Sequence, residues 1–255
     1  MVTRSSVLHL LPLSAYRDDP TAPIAPESLS TEGFVHCSPD AATALAVADA
    51  LYRDSAEPMV ALELDCAALP ADLRWEAAAP APPAGVSSDV LFPHLYAAID
   101  RSAIIEVHHA RRSPDGRYLE LLPRRGRAEE LDLLPHPEGG WYRRFWASSA
   151  TVERSDGAQR PAATAIHYAL DAGEVSRWHT VASEELWFWH AGEVELTLGG
   201  TGDQPGTPET VVLGPDADIQ LTVPAGTWQR ASASVEALVS CVVSPGFDFA
   251  DFRVA

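Results

Sequence analysis

Between Trp141 and Val243 the chain alternates short β-forming runs with turns, and this rhythm limits the folds open to it. Apolar, aromatic and β-branched residues concentrate at 141–147, 163–170, 185–190, 193–198, 210–213, 219–223, 227–232 and 235–243. Between these runs stand Asp171-Ala172-Gly173, Gly199-Gly200-Thr201-Gly202-Asp203, Gly214-Pro215-Asp216 and Pro224-Ala225-Gly226. Gly and Asp tolerate backbone angles that other residues avoid, and Pro pre-sets a turn's first corner, so each cluster reverses the chain. Many short strands punctuated this way build a sandwich or a barrel, because each sheet must bury one face against another. No long helical pattern interrupts the series.

The N-terminal part has a different texture. Val7 to Leu11 and Glu32 to Ser38 predict strands, and Met59 to Asp65 alternates apolar and polar residues as a strand does. Ser38-Pro39-Asp40 predicts a helix start, with Ser38 as cap and Pro39 in the first turn, running from Asp40 to about Arg53. Residues 77–88 form an Ala/Pro loop, and Ala103 to Val107 is a further strand. This mixture predicts a small α+β domain. Arg111, Arg112, Arg117, Arg124, Arg125 and Arg127 then cluster around the turn signal Pro114-Asp115-Gly116. The composition shift there predicts three segments: an α+β domain at 1–112, an Arg-rich linker at 113–129 and an all-β domain at 130–255.

Charge narrows the partners. Acidic residues outnumber basic ones 36 to 18, for a net charge of -18. Nucleic acid and anionic membranes both need clustered Lys and Arg, so neither is expected as a partner. The cysteines Cys37, Cys66 and Cys241 are odd in number and widely spaced, which fits a reducing cytoplasm rather than a disulfide framework. Residues 1–13 are too weakly patterned for a signal peptide. No apolar run reaches the ~20 residues needed to cross a bilayer.

Two stretches in the β-rich half carry the chemistry. The first runs from Gly173 through His179 and Glu185 to Gly192; the second is Pro224-Ala225-Gly226-Thr227-Trp228-Gln229. Their spacing resembles the two motifs of the cupin superfamily, double-sheet jelly rolls whose barrel mouth holds a ligand or metal. The resemblance implies a metal set of two histidines, a glutamate and a last histidine. Only His179 and Glu185 match; Val181 and Gln229 occupy the other two positions, and Asp218 stands where the family has a glycine. Transition metals are held best by three or four nitrogen, sulfur or carboxylate ligands, and an amide oxygen is a poor substitute. No tightly bound metal is therefore expected, with His179, Glu185 and Gln229 as weak candidates for a divalent ion.

The sequence is also similar to one uncharacterised cupin subfamily, related in fold to dTDP-sugar epimerase cupins. The likeness rests on Leu133 to Arg143, Thr164-Ala165-Ile166, Trp178-His179-x-Val181, Glu184-Glu185-x-Trp187, the Pro224 to Gln229 block and Ser244 to Phe252. It implies a homodimer formed through this domain. Without a metal, a neutral His179 imidazole beside Glu185 is suited to act as general base. Strand alternation puts Glu185, Trp187 and Trp189 on one face, and Thr227 with Gln229 on another. These side chains predict a pocket for a small planar or ring-shaped ligand, with Tyr142 and Arg143 or Arg144 reaching its mouth to hold an anionic group. Trp187 and Trp189 have the simpler alternative of filling the barrel. Glu138-Gly139-Gly140 reads as a turn rather than a phosphate site, and His167 and His190 as structural or surface residues.

In the N-terminal half, His9-Leu10, Glu32 to Ser38, Leu62 to Asp65, Leu73 to Glu76 and Phe92 to Tyr96 occur in order. They resemble an uncharacterised bacterial domain family related in fold to ADP-ribosyltransferases. The resemblance implies a pocket for a nucleotide-like ligand formed by His9, His36, Ser38, His94 and Tyr96. It also requires a late glutamate, for which Glu106 is the candidate.

Three functional readings follow. The first is an isomerase, epimerase or lyase that uses His179 and Glu185 in acid–base chemistry on a small molecule. The second is a metal-dependent, dioxygenase-like enzyme using His179, Glu185 and Gln229. The third is a non-catalytic ligand-binding or sensor module.

Overall fold

The computed structural model describes residues 5–71 and 73–255. The chain divides into two compact units, residues 1–124 and 125–255. Among the described residues no helix is long and apolar enough to cross a membrane.

The first unit pairs an antiparallel sheet with a helix. Strands β1 (Ser6–Pro12), β3 (Met59–Asp65), β6 (Ile104–Arg112) and β7 (Tyr118–Pro123) form the sheet in the order β1-β3-β6-β7. A smaller sheet, β2-β5-β4, joins β2 (Val35–His36), β5 (Leu91–Leu95) and β4 (Leu73–Ala77). Helices α1 (Leu13–Arg17) and α2 (Glu27–Thr31) are single turns, whereas α3 (Ala41–Leu51) is a packing helix. Ala44 and Ala48 of α3 are fully buried, and their small side chains let the helix lie close on Ala61 and Met59 of β3.

The helix cap differs from the expected one. Asp40, in an extended conformation, accepts a hydrogen bond from the Thr43 amide at 2.9 Å and is the N-cap. Ser38 is occupied elsewhere, since its backbone exchanges hydrogen bonds with Leu8, so the chain turns helical only after Pro39. The expected strand at 32–38 shrinks to Val35–His36 for the same reason.

The segment 113–123, expected as linker, belongs to the sheet. Pro114-Asp115-Gly116 is the turn of the β6–β7 hairpin, closed by the Ser113 amide donating to the Arg117 carbonyl. Two of its arginines are structural. Arg111 pairs with Glu120 at 2.8 Å, and the Arg112 guanidinium donates to backbone carbonyls of Ser55, Arg53 and Gly116 and lies over the Tyr118 ring. A row of arginines reads as a charged connector until their carbonyl and carboxylate partners are known.

The second unit opens with α4 (Gly126–Glu130) and continues as two sheets. The six-stranded sheet has the order β17-β14-β19-β12-β9-β8. It contains β8 (Leu134–Pro135), β9 (Trp141–Ala147), β12 (Thr164–Leu170), β14 (Glu184–Ala191), β17 (Gln220–Val223) and β19 (Ala237–Ser244). The five-stranded sheet, β16-β15-β18-β13-β20, contains β13 (His179–Val181), β15 (Val194–Leu198), β16 (Glu209–Leu213), β18 (Gln229–Ser232) and β20 (Phe252–Val254). A hairpin, β10 (Thr151–Glu153) with β11 (Gln159–Pro161), is separate. The core cluster takes residues from both sheets: Tyr168, Trp187 and Val239 from the first, Val194, Leu196 and Leu213 from the second. Alternation sends every second side chain inward, and two inward faces sharing one core make the double-sheet barrel that the turn rhythm predicts. Three-residue strands such as β13 and β20 carry too little pattern to be read ahead of the structure.

Candidate functional site

The inward faces of β12, β14 and β19 present Thr164, Ile166, Tyr168, Glu185, Trp187 and Cys241 to a pocket that β13 closes with His179 and Val181. Phe247 and Phe252, from the C-terminal segment, cover its other side, with the Phe252 ring 5.4 Å from that of His179. The free volume is about 30 Å³. That is room for about two water molecules, so only one small polar group of a ligand fits at this depth.

A tight turn completes the site. Gly140 has φ +66, and a Cβ there would stand 2.7 Å from the Tyr168 ring and 2.8 Å from the Ala169 carbonyl oxygen, so only glycine fits. The His136 amide donates to the Gly140 carbonyl and the Gly139 amide to the His136 carbonyl, while the Tyr168 hydroxyl donates to the Gly139 carbonyl at 3.0 Å. The turn expected at Glu138-Gly139-Gly140 is present. It also delivers a functional group, because the buried Glu138 places Oε2 3.2 Å from His179 Nδ1 and 3.4 Å from His136 Nδ1.

These contacts fix the state of His179. Its Nδ1 faces two acceptors, Glu138 Oε2 and the Arg177 carbonyl oxygen at 3.0 Å, so Nδ1 carries the proton and Nε2 keeps its lone pair. Burial pushes the imidazole down to about 4, partly opposed by the Arg177 carbonyl. The ring is therefore neutral at physiological pH.

Glu185 is displaced the other way. Burial pushes its carboxyl up to about 7, against the pull of the Gln229 amide, whose Nε2 donates to Glu185 Oε2 at 2.5 Å. Burial likewise raises the Tyr168 hydroxyl and the Cys241 thiol well above their usual ranges, so both stay protonated. The pocket thus combines a neutral base with an acid that exchanges its proton near neutral pH.

The other expected residues divide. Tyr142 and Arg144 line the pocket; the Arg144 guanidinium donates to the Phe247 carbonyl at 3.0 Å. Gln229 stands opposite His179 in the β13–β18 register and acts through Glu185. Arg143 pairs in register with His167, is exposed, and does not line the pocket. Trp189 is on the same face, opposite Val239, but lies further along β14, where it packs against the core and donates its indole N–H to the Gly192 carbonyl at 2.9 Å rather than lining the pocket. Thr227 is buried in the turn, where its amide donates to the Pro224 carbonyl. His136, Glu138, Phe247 and Phe252 join the site without having been expected there. All four lie in blocks that carry the cupin-like signature, and a charged residue beside two glycines is the signal that could have found Glu138.

The donor set is thinner than the three or four ligands that hold a transition metal best. Among the described residues no three His, Cys, Asp or Glu side chains are arranged to hold one. Val181 offers no ligand, and Gln229 turns its amide nitrogen toward Glu185, while the donors left over are His179 Nε2 and the Gln229 amide oxygen, which is buried and has no hydrogen-bond partner among the described residues.

In the first unit, His9, His36, Ser38, His94 and Tyr96 do line one cavity, of about 1400 Å³. Phe34 stacks on His94 with ring centroids 4.0 Å apart. Glu76 accepts from His94 Nδ1 at 2.7 Å and from the Tyr96 hydroxyl at 3.1 Å, and the His94 bond draws its carboxyl below the usual range. Glu106 lies on β6 opposite Glu63 and does not line this cavity.

A double-sheet barrel with a buried His–Glu site in its mouth is the cupin architecture. Residues 127–255 match the family described as Cupin superfamily (DUF985), and the chain belongs to that family. Residues 14–107 match a second family, described as a protein of unknown function (DUF952). No curated protein matches. A hypothetical protein from Leishmania major is 31% identical over 50% of this chain and 84% of its own, with a TM-score of 0.46. A structural-genomics protein from Shewanella oneidensis is 31% identical over 50% and 81%, with a TM-score of 0.45. Oxalate decarboxylase from Bacillus subtilis is 18% identical over 46% and 28%, with a TM-score of 0.34.

Proposed function

We propose that the C-terminal domain is an acid–base enzyme, of isomerase, epimerase or lyase type, acting on a small molecule that carries a carbonyl or carboxylate group. The observation that carries this reading is the pairing of a neutral His179, anchored through Nδ1 by Glu138, with a Glu185 carboxyl that titrates at about 7. His179 Nε2 removes a proton from the carbon next to the carbonyl. The electron pair moves onto the carbonyl oxygen, which takes the Glu185 proton. The enol then returns its proton to Glu185 as the carbonyl re-forms: a proton delivered to carbon gives an isomer or epimer, whereas a β-substituent that leaves with its bonding pair, taking the proton held by His179, gives an alkene. The mouth residue Arg144 holds an anionic part of the ligand, and the aromatic cover of Phe247 and Phe252 excludes water.

The test is solvent deuterium incorporation into a panel of small carbonyl and carboxylate compounds, read by proton NMR. Exchange at a C–H is expected from the wild type and is lost in His179→Ala and Glu185→Gln. Exchange that survives both substitutions refutes the roles. If the protein retains a panel compound without exchanging it, the non-catalytic binding module replaces the enzyme. Metal analysis separates the dioxygenase-like reading: stoichiometric iron, manganese or zinc lost on His179→Ala would overturn a metal-free site.

Cytoplasmic residence is proposed from the three free cysteines, and a homodimer from the exposed aromatic pair Phe145 and Trp146 on β9. For the first unit, His9 and Ser38 in one cavity support a transferase-like fold, whereas the position of Glu106 speaks against transferase chemistry.

A further inference from the structure

The cavity of the first unit has a chemistry of its own. Among its lining residues is His9, 4% exposed. Its Nδ1 donates to the His36 carbonyl oxygen at 2.8 Å, which leaves Nε2 as the acceptor. That Nε2 is buried and has no hydrogen-bond partner among the described residues. An orphaned acceptor at this depth costs free energy unless a ligand supplies a donor.

Two further features define which donor. The cavity is lined by the carboxylates of Asp18, Asp19, Glu27, Glu32 and Glu76, and Arg101 is its one lining cation among the described residues. Arg101 turns three of its five N–H donors to backbone, to the carbonyls of Ala22, Tyr16 and Asp19 at 2.8, 2.9 and 2.6 Å. Arg74, which lies over Tyr96, does not line the cavity. A phosphate would meet five carboxylates against one guanidinium that already holds three carbonyls, which speaks against the nucleotide-like ligand expected from sequence. The wall is aromatic: Phe34 stacks on His94, and the Tyr96 ring lies 5.4 Å from Phe34.

We propose that this cavity binds a small organic cation bearing N–H groups, such as an amidinium or protonated amine, on an aromatic or apolar body. One N–H donates to His9 Nε2, the positive charge is matched by the carboxylate lining, and the body packs on the Phe34–His94 wall. Burial holds the His9 imidazole down at about 4, so the ring stays an acceptor and does not repel the cation.

Titration calorimetry of the full chain tests this with three probes: benzamidine, benzoate and trimethylanilinium. Benzamidine is expected to bind saturably. Benzoate, with the opposite charge, should not bind, and trimethylanilinium, which lacks N–H, should bind about tenfold or more weakly. His9→Leu should weaken benzamidine by a similar factor. The triple variant Asp18→Asn, Glu27→Gln, Glu32→Gln alters only exposed positions and should weaken it as well, whatever His9→Leu does to folding. Benzamidine binding that does not saturate at millimolar concentration overturns the proposal. So does equal binding of benzoate, or unchanged affinity in a folded His9→Leu chain or in the triple variant. Loss of binding in His179→Ala also overturns it, since the probe would then occupy the C-terminal pocket.

Discussion

Replacing Glu185 by Gln should stabilise the C-terminal domain at alkaline pH and leave it little changed in mild acid. An unfolded glutamate titrates near 4.5, whereas the folded domain holds Glu185 at about 7. Between these values the folded state keeps a proton that the unfolded state has released. Stability attributable to Glu185 is therefore fully present below pH 4.5, falls as pH rises and is gone above about pH 7. At ~1.4 kcal/mol per unit, the raised carboxyl costs about 3 kcal/mol above neutrality. The substituted amide would remain neutral throughout, and its oxygen can still accept from Gln229 Nε2. The assay is denaturant unfolding of wild type and variant from pH 4.5 to 8.5. Tryptophan fluorescence is the readout, because every tryptophan except Trp75 lies in the second unit. Groups common to both proteins cancel in the difference, so the variant's advantage should grow by about 3 kcal/mol across this range. A flat difference would falsify the buried-acid account, and an advantage that shrinks with rising pH would mean a depressed carboxyl.

Glu138→Gln offers His179 Nδ1 an amide that can present N–H as well as oxygen. The wrong imidazole tautomer then becomes populated, and deuterium exchange should fall by about 10²-fold, with the tautomer read from nitrogen-15 shifts of the imidazole. Gly140→Ala forces a Cβ against Tyr168 and the Ala169 carbonyl, at a cost of about 2–4 kcal/mol visible as a lower denaturation midpoint. Dialysis against EDTA should leave the melting temperature unchanged, whereas a tightly held ion would drop it by several degrees. Serine at both Phe145 and Trp146 should turn the proposed dimer into a monomer in light scattering, and a monomeric wild type defeats that assignment.

The fold is legible where the pattern is long. Met59–Asp65 and Trp141–Ala147 have the bounds that alternation and aromatic content predict, because seven residues with a buried face leave one register. The hairpin β6–β7 is hidden because arginine counts as a solvated charge until its neighbours are known, and Arg112 spends its donors on carbonyls of 53 and 55. Trp189 stands on the expected face but outside the pocket. Alternation carries Glu185 and Trp187 into the pocket and Trp189 onto the same face, but a shared face does not say how deep along the strand the pocket reaches, and it stops short of Trp189.

The site itself is half legible, and the missing half changes its chemistry. His179 and Glu185 stand in the cupin spacing, which suggests that they act on each other. Instead each has a separate neighbour: Glu138 for His179, Gln229 for Glu185. Glu138 arrives from a turn some forty residues earlier, where only the two glycines betray a constrained backbone. With no direct bond between them, burial pushes the two groups in opposite senses, each toward its neutral form. A base and an acid both near neutral charge at pH 7 can exchange protons with a substrate. Gln229→His would test this: an imidazole introduced beside Glu185 would favour the ionised carboxylate and recreate a metal-binding face. The variant should gain affinity for zinc, measured by calorimetry, and lose the alkaline stabilisation expected on removing the Glu185 carboxyl. Unchanged zinc affinity, with the Glu185→Gln advantage persisting at alkaline pH, would mean that Gln229 does not govern the charge of that carboxyl.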